Sequence, residues 1–356
     1  MATALPLAIH VLTAAALPPL LLGVIGKTKA LFAGRVGPPL LQPYYDLAKL
    51  FRKGSVFSTT ATWVFRAGPV VGVATAALAT FLIPLGNWPA PVSFAGDLVL
   101  LAYLFALGRF FTTSAALDTG SAFEGMGAAR EVTFACLTEP AVFFGLLVLA
   151  RLSGSLRLTD MLGGAAAANW AAAGASVVLV VASWFLVLLA ENCRIPFDDP
   201  NTHLELTMIH EVMVLDHGGP AFGLVLYGAA LKLFAFAALL VGVALPIDTG
   251  RAWADWGVFV AAVLGVAVLV GVTESVMARR TRWPFGLSAS MPKSIGGPIR
   301  MVIVLNGQII FDPTGWALSV PTNPMGTTGA DVRAASMATP VWPRWRRPSF
   351  DRVPSG

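Results

Sequence analysis

Charge is scarce in this sequence. Only 12% of its 356 residues are Asp, Glu, Lys or Arg, while 56% are hydrophobic; soluble domains carry about a quarter charged residues. An ordinary water-soluble globular protein is excluded on that ground. Cysteine is nearly absent. Cys136 and Cys193 are the only two, both in or beside apolar runs, with no CxxC pair and no Cys/His cluster, which excludes an iron–sulfur or structural zinc site held by this chain. A nucleophile–base pair and a cofactor fingerprint are also missing, so no independent catalyst is expected. Leu5 to Ile25 is apolar, with no basic segment before it and no small-residue cleavage pattern after it. It reads as a retained first helix, inserted co-translationally, rather than a signal peptide.

What is present is a series of long apolar runs. A hydrocarbon core of about 30 Å needs roughly 20 helical residues, and such runs predict spanning helices near 5–25, 61–84, 96–116, 131–151, 173–192, 220–245 and 254–277. Segments 38–52, 118–130 and 199–216 read as interfacial or re-entrant. The fold class is therefore all-α: a polytopic transmembrane bundle of about seven clear helices with interfacial amphipathic segments. Lys27, Lys29, Arg35, Lys49, Arg52, Lys53 and Arg66 follow the first helix, and Arg279, Arg280 and Arg282 follow the last. The positive-inside bias puts both groups on the cytoplasmic face of an inner (plasma) membrane, with the N-terminus outside. From about residue 281 the chain changes to Pro, Gly, Ser, Thr and Arg. This predicts a basic, disordered tail attracted to anionic lipid; the competing explanation is a frameshift after about Arg280.

Three stretches carry ionisable groups that an apolar bundle has no need of. In Glu191-Asn192-Cys193-Arg194-Ile195-Pro196-Phe197-Asp198-Asp199-Pro200, continuing to Glu205, His210 and Glu211, six carboxylates lie between Glu191 and Asp216 against one Arg194. Charges at depth are costly, so Glu191 and Arg194 are expected to pair or to line a wet cavity. Pro196 and Pro200 stop the helix; Asp198 and Asp199 stand where a new helix would be capped, a role weighted more heavily for Asp199 than for Asp198. His203, His210 and His217 recur every seven residues. On one helix they would form a stripe, but about 10.5 Å between successive rings is too far for a shared metal. A proton relay with Glu205 and Glu211, or plain interfacial packing, fits them equally well. The second stretch, Arg35 to Lys53, alternates apolar and charged positions at helical spacing and should lie along the inner membrane surface. In the third, Arg109, Asp118, Arg130, Glu131 and Glu139 appear within and beside two spans. Glu131 and Glu139 are functional candidates by default, with a plain salt bridge to Arg109 or Arg130 as the ordinary alternative.

These residues resemble the subunit 1 family of respiratory complex I and its relatives in formate hydrogenlyase and other membrane-bound hydrogenases, over about residues 5–280. Glu191, Arg194, Pro196, Phe197, Asp198, Glu205 and Leu206 are similar to one family segment, and Arg35, Gly37, Pro38, Gln42, Pro43, Asp46 and Lys49 to another. Arg109-Phe110-Phe111, the Leu117 to Ser121 run, Arg130-Glu131, Glu139-Pro140 and the run Asp198 to His203 look like the hydrogenase branch. Glutamates of complex I proper are replaced by Asn201 and His203, so quinone use does not carry over.

The resemblance implies a tilted bundle that anchors a hydrogenase-like large subunit and small iron–sulfur subunits, beside antiporter-like membrane subunits. Nickel–iron and iron–sulfur centres would sit on those partners, with no metal on this chain and no nucleic acid as partner. It further implies a coupling role for Glu131, Glu139, Glu191, Arg194, Asp198, Asp199, His203, Glu205, His210 and Glu211. Arg35, Gln42, Asp46, Lys49, Arg109, Asp118 and Arg130 would contact the peripheral arm or a quinone cavity, and the family has an eighth helix where the tail begins. Competing readings are a quinone-reactive NADH dehydrogenase subunit, a stand-alone proton or cation transporter, and a prenyltransferase-type enzyme with magnesium at Asp198-Asp199; no second aspartate pair supports the last.

Overall fold

The computed structural model describes residues 4–58, 61–198, 208–246 and 248–280, together with 303–305 and 308–311. The chain divides into two units, Met1–Trp283 and Pro284–Gly356. The first unit is helical: α1 Ala4–Phe32, α2 Gln42–Phe51, α3 Trp63–Leu82, α4 Asp97–Asp118, α5 Ala122–Ser153, a short α6 Leu158–Met161, α7 Ala166–Glu191, a short α8 His210–Met213, α9 Gly219–Ala244 and α10 Ala252–Arg280. Seven of these, α1, α3, α4, α5, α7, α9 and α10, are long and apolar enough to cross a membrane. Of the second unit the described part is a small antiparallel pair, β1 Ile303–Leu305 and β2 Gln308–Phe311. The expected disordered tail otherwise lies outside the described residues.

Two boundaries differ from the sequence expectation. Segment 118–130 is not re-entrant: Gly120, with φ +70°, makes a tight turn and α5 starts at Ala122. Apolar periodicity is weak there because Glu124 is buried in the first turn, where its carboxylate accepts from the backbone N–H of Asp216 at 3.0 Å. The span expected from 173 begins earlier, at Ala166, and Ala173 is where non-helical φ and ψ break its regularity. The interfacial reading of 38–52 matches α2, which buries none of its residues in the bundle.

α9 is the central helix. It packs on α1, α2, α3, α7 and α10 and buries nearly all of its second half, from Ala230 to Val243. Glycines set the spacing between α9 and α3 and between α3 and α4. A Cβ on Gly228 would press on Val73 of α3, and one on Gly108 of α4 would meet Thr75. Close backbone approach of this kind is how helices associate where lipid offers no hydrophobic driving force.

The chain leaving α7 stays inside the bundle. Asn192, Cys193 and Arg194 donate backbone N–H groups to Leu188, Ala190 and Leu189, and Phe197 donates to Arg194. Irregular backbone at this depth is tolerated because its polar groups are satisfied within the protein and it lines a cavity.

Candidate functional site

Four helices meet around Arg109, which α4 carries near its middle and which is almost fully buried. Its Nη1 pairs with Glu139 and its Nη2 with Glu191, while Nε approaches Glu131 Oε1 at 3.3 Å. Arginine suits this place because its rigid planar fork can donate to several carboxylates at once. Glu191, the last residue of α7, is the most enclosed of the three acids. It also accepts from the Thr138 hydroxyl and from Lys232 Nζ at 2.9 Å. Cys193, in the left-handed region at φ +47°, donates its S–H to Glu131 Oε2 at 3.4 Å. Burial, and then the Glu131 charge, push that thiol well above its ordinary range, so it stays protonated and unreactive.

The cluster faces a cavity of about 120 Å3 between α3, α4, α5, the end of α7, α8 and α9. Arg109, Glu131, Glu191, Arg194, Lys232 and His210 are among its polar lining residues, and Gly68, Pro69, Gly72 and Val225 are among its apolar ones. A space of that size with several polar groups is roomy and polar enough to hold water. His210 Nε2 and His217 Nδ1 are buried without a hydrogen-bond partner among the described residues. Burial lowers the pKa of both, that of His217 to about 4. The His217 ring stacks on Phe65 with centroids 4.0 Å apart.

A neutral buried His217 has a measurable consequence. Its folded-state pKa lies below the ordinary value of 6.5, so between the two the unfolded chain binds more protons and stability rises with pH. The stabilisation is intact above about 6.5 and is lost as pH falls toward 4. Thermal unfolding in detergent should show a melting temperature that drops across this window more steeply for the natural protein than for His217→Gln. Parallel curves would contradict it.

Of the residues singled out in the sequence, Glu131, Glu139, Glu191 and His210 are brought to this cluster or its cavity. Arg109, expected among arm or quinone-cavity contacts, is the hub. Of the two arrangements expected for Glu191 and Arg194, a direct pair is not formed, and both residues line the cavity. Arg194 turns instead to Glu274 of α10, with Nη1 at 3.5 Å from Oε1, and Lys29 of α1 holds the other oxygen at 2.7 Å. The left-handed turn at Cys193 carries Arg194 away from Glu191, whose charge is already met by Arg109 and Lys232.

The helix expected to be capped by Asp198 or Asp199 falls outside the described residues, and Asp198 instead serves a start farther along the chain. Its Oδ2 accepts from the backbone N–H groups of Ile209 and His210, both at 3.1 Å, at the start of α8. The single helical stripe of histidines does not form, since helix geometry around His210 ends at Met213 and a turn precedes His217. Glu211 is largely exposed, and the partial loss of water around its carboxylate, followed by the nearby Asp198 charge, raises its pKa. Asp199, His203 and Glu205 lie outside the described residues.

The remaining candidates make the following contacts within the chain. Asp118 accepts from the Thr62 N–H at 2.7 Å and its hydroxyl at 2.8 Å, tying the end of α4 to the start of α3. Arg130 donates to the Met208 carbonyl at 2.8 Å. Gln42 donates to Asp46 across one turn of α2, which Lys49 closes, and Arg35 lines a shallow hollow with Lys27 and Leu40.

Lys232 and Thr138 are missing from the sequence-derived site. Lys232 is the one charged residue in α9 and stands thirteen residues past Gly219, about 20 Å into the helix. An ionisable group at such a position marks a functional site by default, so the signal was available in the sequence. Thr138 gave none, because threonine is ordinary in an apolar helix.

The fold and site define a polytopic membrane protein with a buried, charge-dense centre open to an internal cavity. The NADH dehydrogenase family model matches residues 4–284, and the chain belongs to that family, in its subunit 1 type. It is 34% identical over 269 residues to hydrogenase-4 component C of Escherichia coli strain K12, covering 74% of this chain and 84% of that one. With formate hydrogenlyase subunit 4 of the same organism it shares 32% over 278 residues, 76% of this chain and 89% of the relative. Among solved structures, a chain of an archaeal membrane-bound sulfane sulfur reductase, a respiratory membrane complex, has the same fold, with TM-score 0.64 and 21% identity over 78% of this chain and 91% of that one.

Proposed function

We propose that this chain is the membrane-anchoring, proton-coupling subunit of a complex I-like or group 4 hydrogenase-type oxidoreductase. The observation that carries the reading is the Arg109 cluster, three carboxylates and two cations beside a cavity, in a chain whose relatives are named as hydrogenase-4 and formate hydrogenlyase subunits. Carboxylates that share one cation inside a low-dielectric bundle respond strongly to any nearby change of charge. Electron transfer in a peripheral arm supplies such a change, and the cluster answers by taking up or releasing a proton through the water-sized cavity.

In this reading a hydrogenase-like large subunit and small iron–sulfur subunits hold nickel–iron and iron–sulfur centres, and antiporter-like subunits adjoin in the membrane. The basic loop 33–62 faces the cytoplasm and the N-terminus lies outside an inner (plasma) membrane. A quinone-reactive NADH dehydrogenase subunit is the second reading, favoured by the family that the chain matches.

A mild-detergent pull-down from native membranes, with mass spectrometry and elemental analysis, separates these. Hydrogenase-like and iron–sulfur subunits with nickel are expected. The same partners without nickel would favour the quinone reading. Recovery of the chain alone would overturn both and leave a stand-alone transporter.

A further inference from the structure

A second group of ion pairs has no part in the reading above. Glu274 of α10 is buried, its side chain 2% exposed, and takes two cations: Lys29 Nζ of α1 at 2.7 Å and Arg194 Nη1 at 3.5 Å. None of the described residues of α10 lines the cavity, whereas Arg194 lines it together with Glu131 and Glu191. The hold on Arg194 is loose. A separation of 3.5 Å is long for a hydrogen bond, and Arg194 Nε is buried without a hydrogen-bond partner among the described residues, which leaves part of its donor fork unused. Charge is out of balance in both groups. Three carboxylates against Arg109 and Lys232 leave the cluster one negative charge in excess, while Lys29 and Arg194 against Glu274 leave one positive charge in excess. Of the two acids in the cavity wall, Glu131 is less firmly held than Glu191. It has one guanidinium contact at 3.3 Å and the thiol of Cys193 at 3.4 Å, and Cys193 directly precedes Arg194 in the chain. The other titratable groups here are His210 and His217 in the cavity wall, Asp198, whose Oδ2 is already met by two backbone N–H groups, and Glu211, within electrostatic reach of Lys29. α3 lines the cavity with none.

We propose that Glu274 is a positioning residue for coupling: it holds the charge of Arg194 away from Glu131, and thereby sets the pH range in which the Arg109 cluster takes up a proton. A cation beside a carboxylate favours the ionised form. Removal of the Glu274 charge leaves two cations without a counter-charge, a costly arrangement inside a protein. Arg194 then turns to the nearest excess of negative charge, the cluster, which becomes neutral and protonates only at lower pH. The inference rests on the coupling function proposed above and adds the residue of α10 that tunes it.

The test uses the assembled complex in native membrane vesicles, with reduced methyl viologen as electron donor and proton uptake followed by a pH-sensitive dye across a range of pH. In Glu274→Gln the pH of half-maximal uptake should fall by about one pH unit. Adding Arg194→Gln should return it to the natural value, because no cation is then free to approach Glu131. Lys29→Met leaves Glu274 to Arg194 alone and should not move it. Where Glu274→Gln does not accumulate, Lys29→Met combined with Glu274→Gln keeps the net charge of the group and frees Arg194 in the same way. An unmoved midpoint in Glu274→Gln, an equal shift in Lys29→Met, or a shift that persists once Arg194 is also replaced would overturn the proposal. A second readout needs no coupling. Losses of melting temperature in detergent from Arg194→Gln and Glu131→Gln should add in the natural background and fall short of their sum in the Glu274→Gln background, where the two groups pair. Additivity in both backgrounds overturns the proposal and leaves the coupling function standing. The shortfall in a complex that takes up no protons upholds the hold of Glu274 on Arg194 and overturns the coupling function instead.

Discussion

Arg109→Ala yields a subunit that fails to accumulate in the membrane or, where it does, unfolds at a far lower temperature. The guanidinium is the shared partner of Glu131, Glu139 and Glu191. Removing one member of a buried ion pair costs about 3–5 kcal/mol, and here three carboxylates lose a partner together. Marginal stabilities of about 5–15 kcal/mol leave little reserve against that. Arg109→Lys should recover part of the loss and no more, because one ammonium cannot reproduce three divergent contacts from a planar fork. Membrane abundance by immunoblot and melting temperature in detergent provide the measurement. Natural abundance and stability in Arg109→Ala would mean that the acids are already protonated and need no cation.

The second large effect concerns Glu191 and Lys232. Glu191→Gln removes the charge that Arg109, Lys232 and Thr138 converge upon, and should lower the rate of proton uptake coupled to electron transfer to a small fraction of the natural value. Partner binding should remain. Lys232→Met should give a similar deficit. Because the two groups touch at 2.9 Å, the double variant should be less impaired in stability than the sum of the singles, by about 0.5–3 kcal/mol. Strict additivity would show that Lys232 does not act through Glu191.

Much of this architecture was legible in the amino-acid order, for physical reasons that also mark where legibility stops. Spans declared themselves because about 20 apolar residues have few other uses, and each of the seven expected helices corresponds to a span. The turn before α5 did not, since its punctuation is a single Gly120 followed by a helix whose first turn buries Glu124. Rare intramembrane acids gave Glu131, Glu139 and Glu191. Their partners were harder to assign because pairing depends on tertiary direction. Nothing in the run Glu191-Asn192-Cys193-Arg194 reveals that a left-handed Cys193 sends Arg194 to α10, or that Asp198 caps a helix eleven residues later. Lys232 was readable by the rule that found the acids.

The order in which the cluster's members emerge during synthesis has a consequence for biogenesis. Arg109 arrives first on α4, Glu131 and Glu139 next on α5, Glu191 on α7 and Lys232 last on α9. For the interval between α7 and α9 three acids share a single guanidinium, and nascent chain in the bilayer carries charge that costs roughly 2.5–3.5 kcal/mol per residue at the helix centre. Delivery of Lys232 relieves that imbalance, so the central helix closes the electrostatic circuit of the nascent protein before α10 arrives to pack on it.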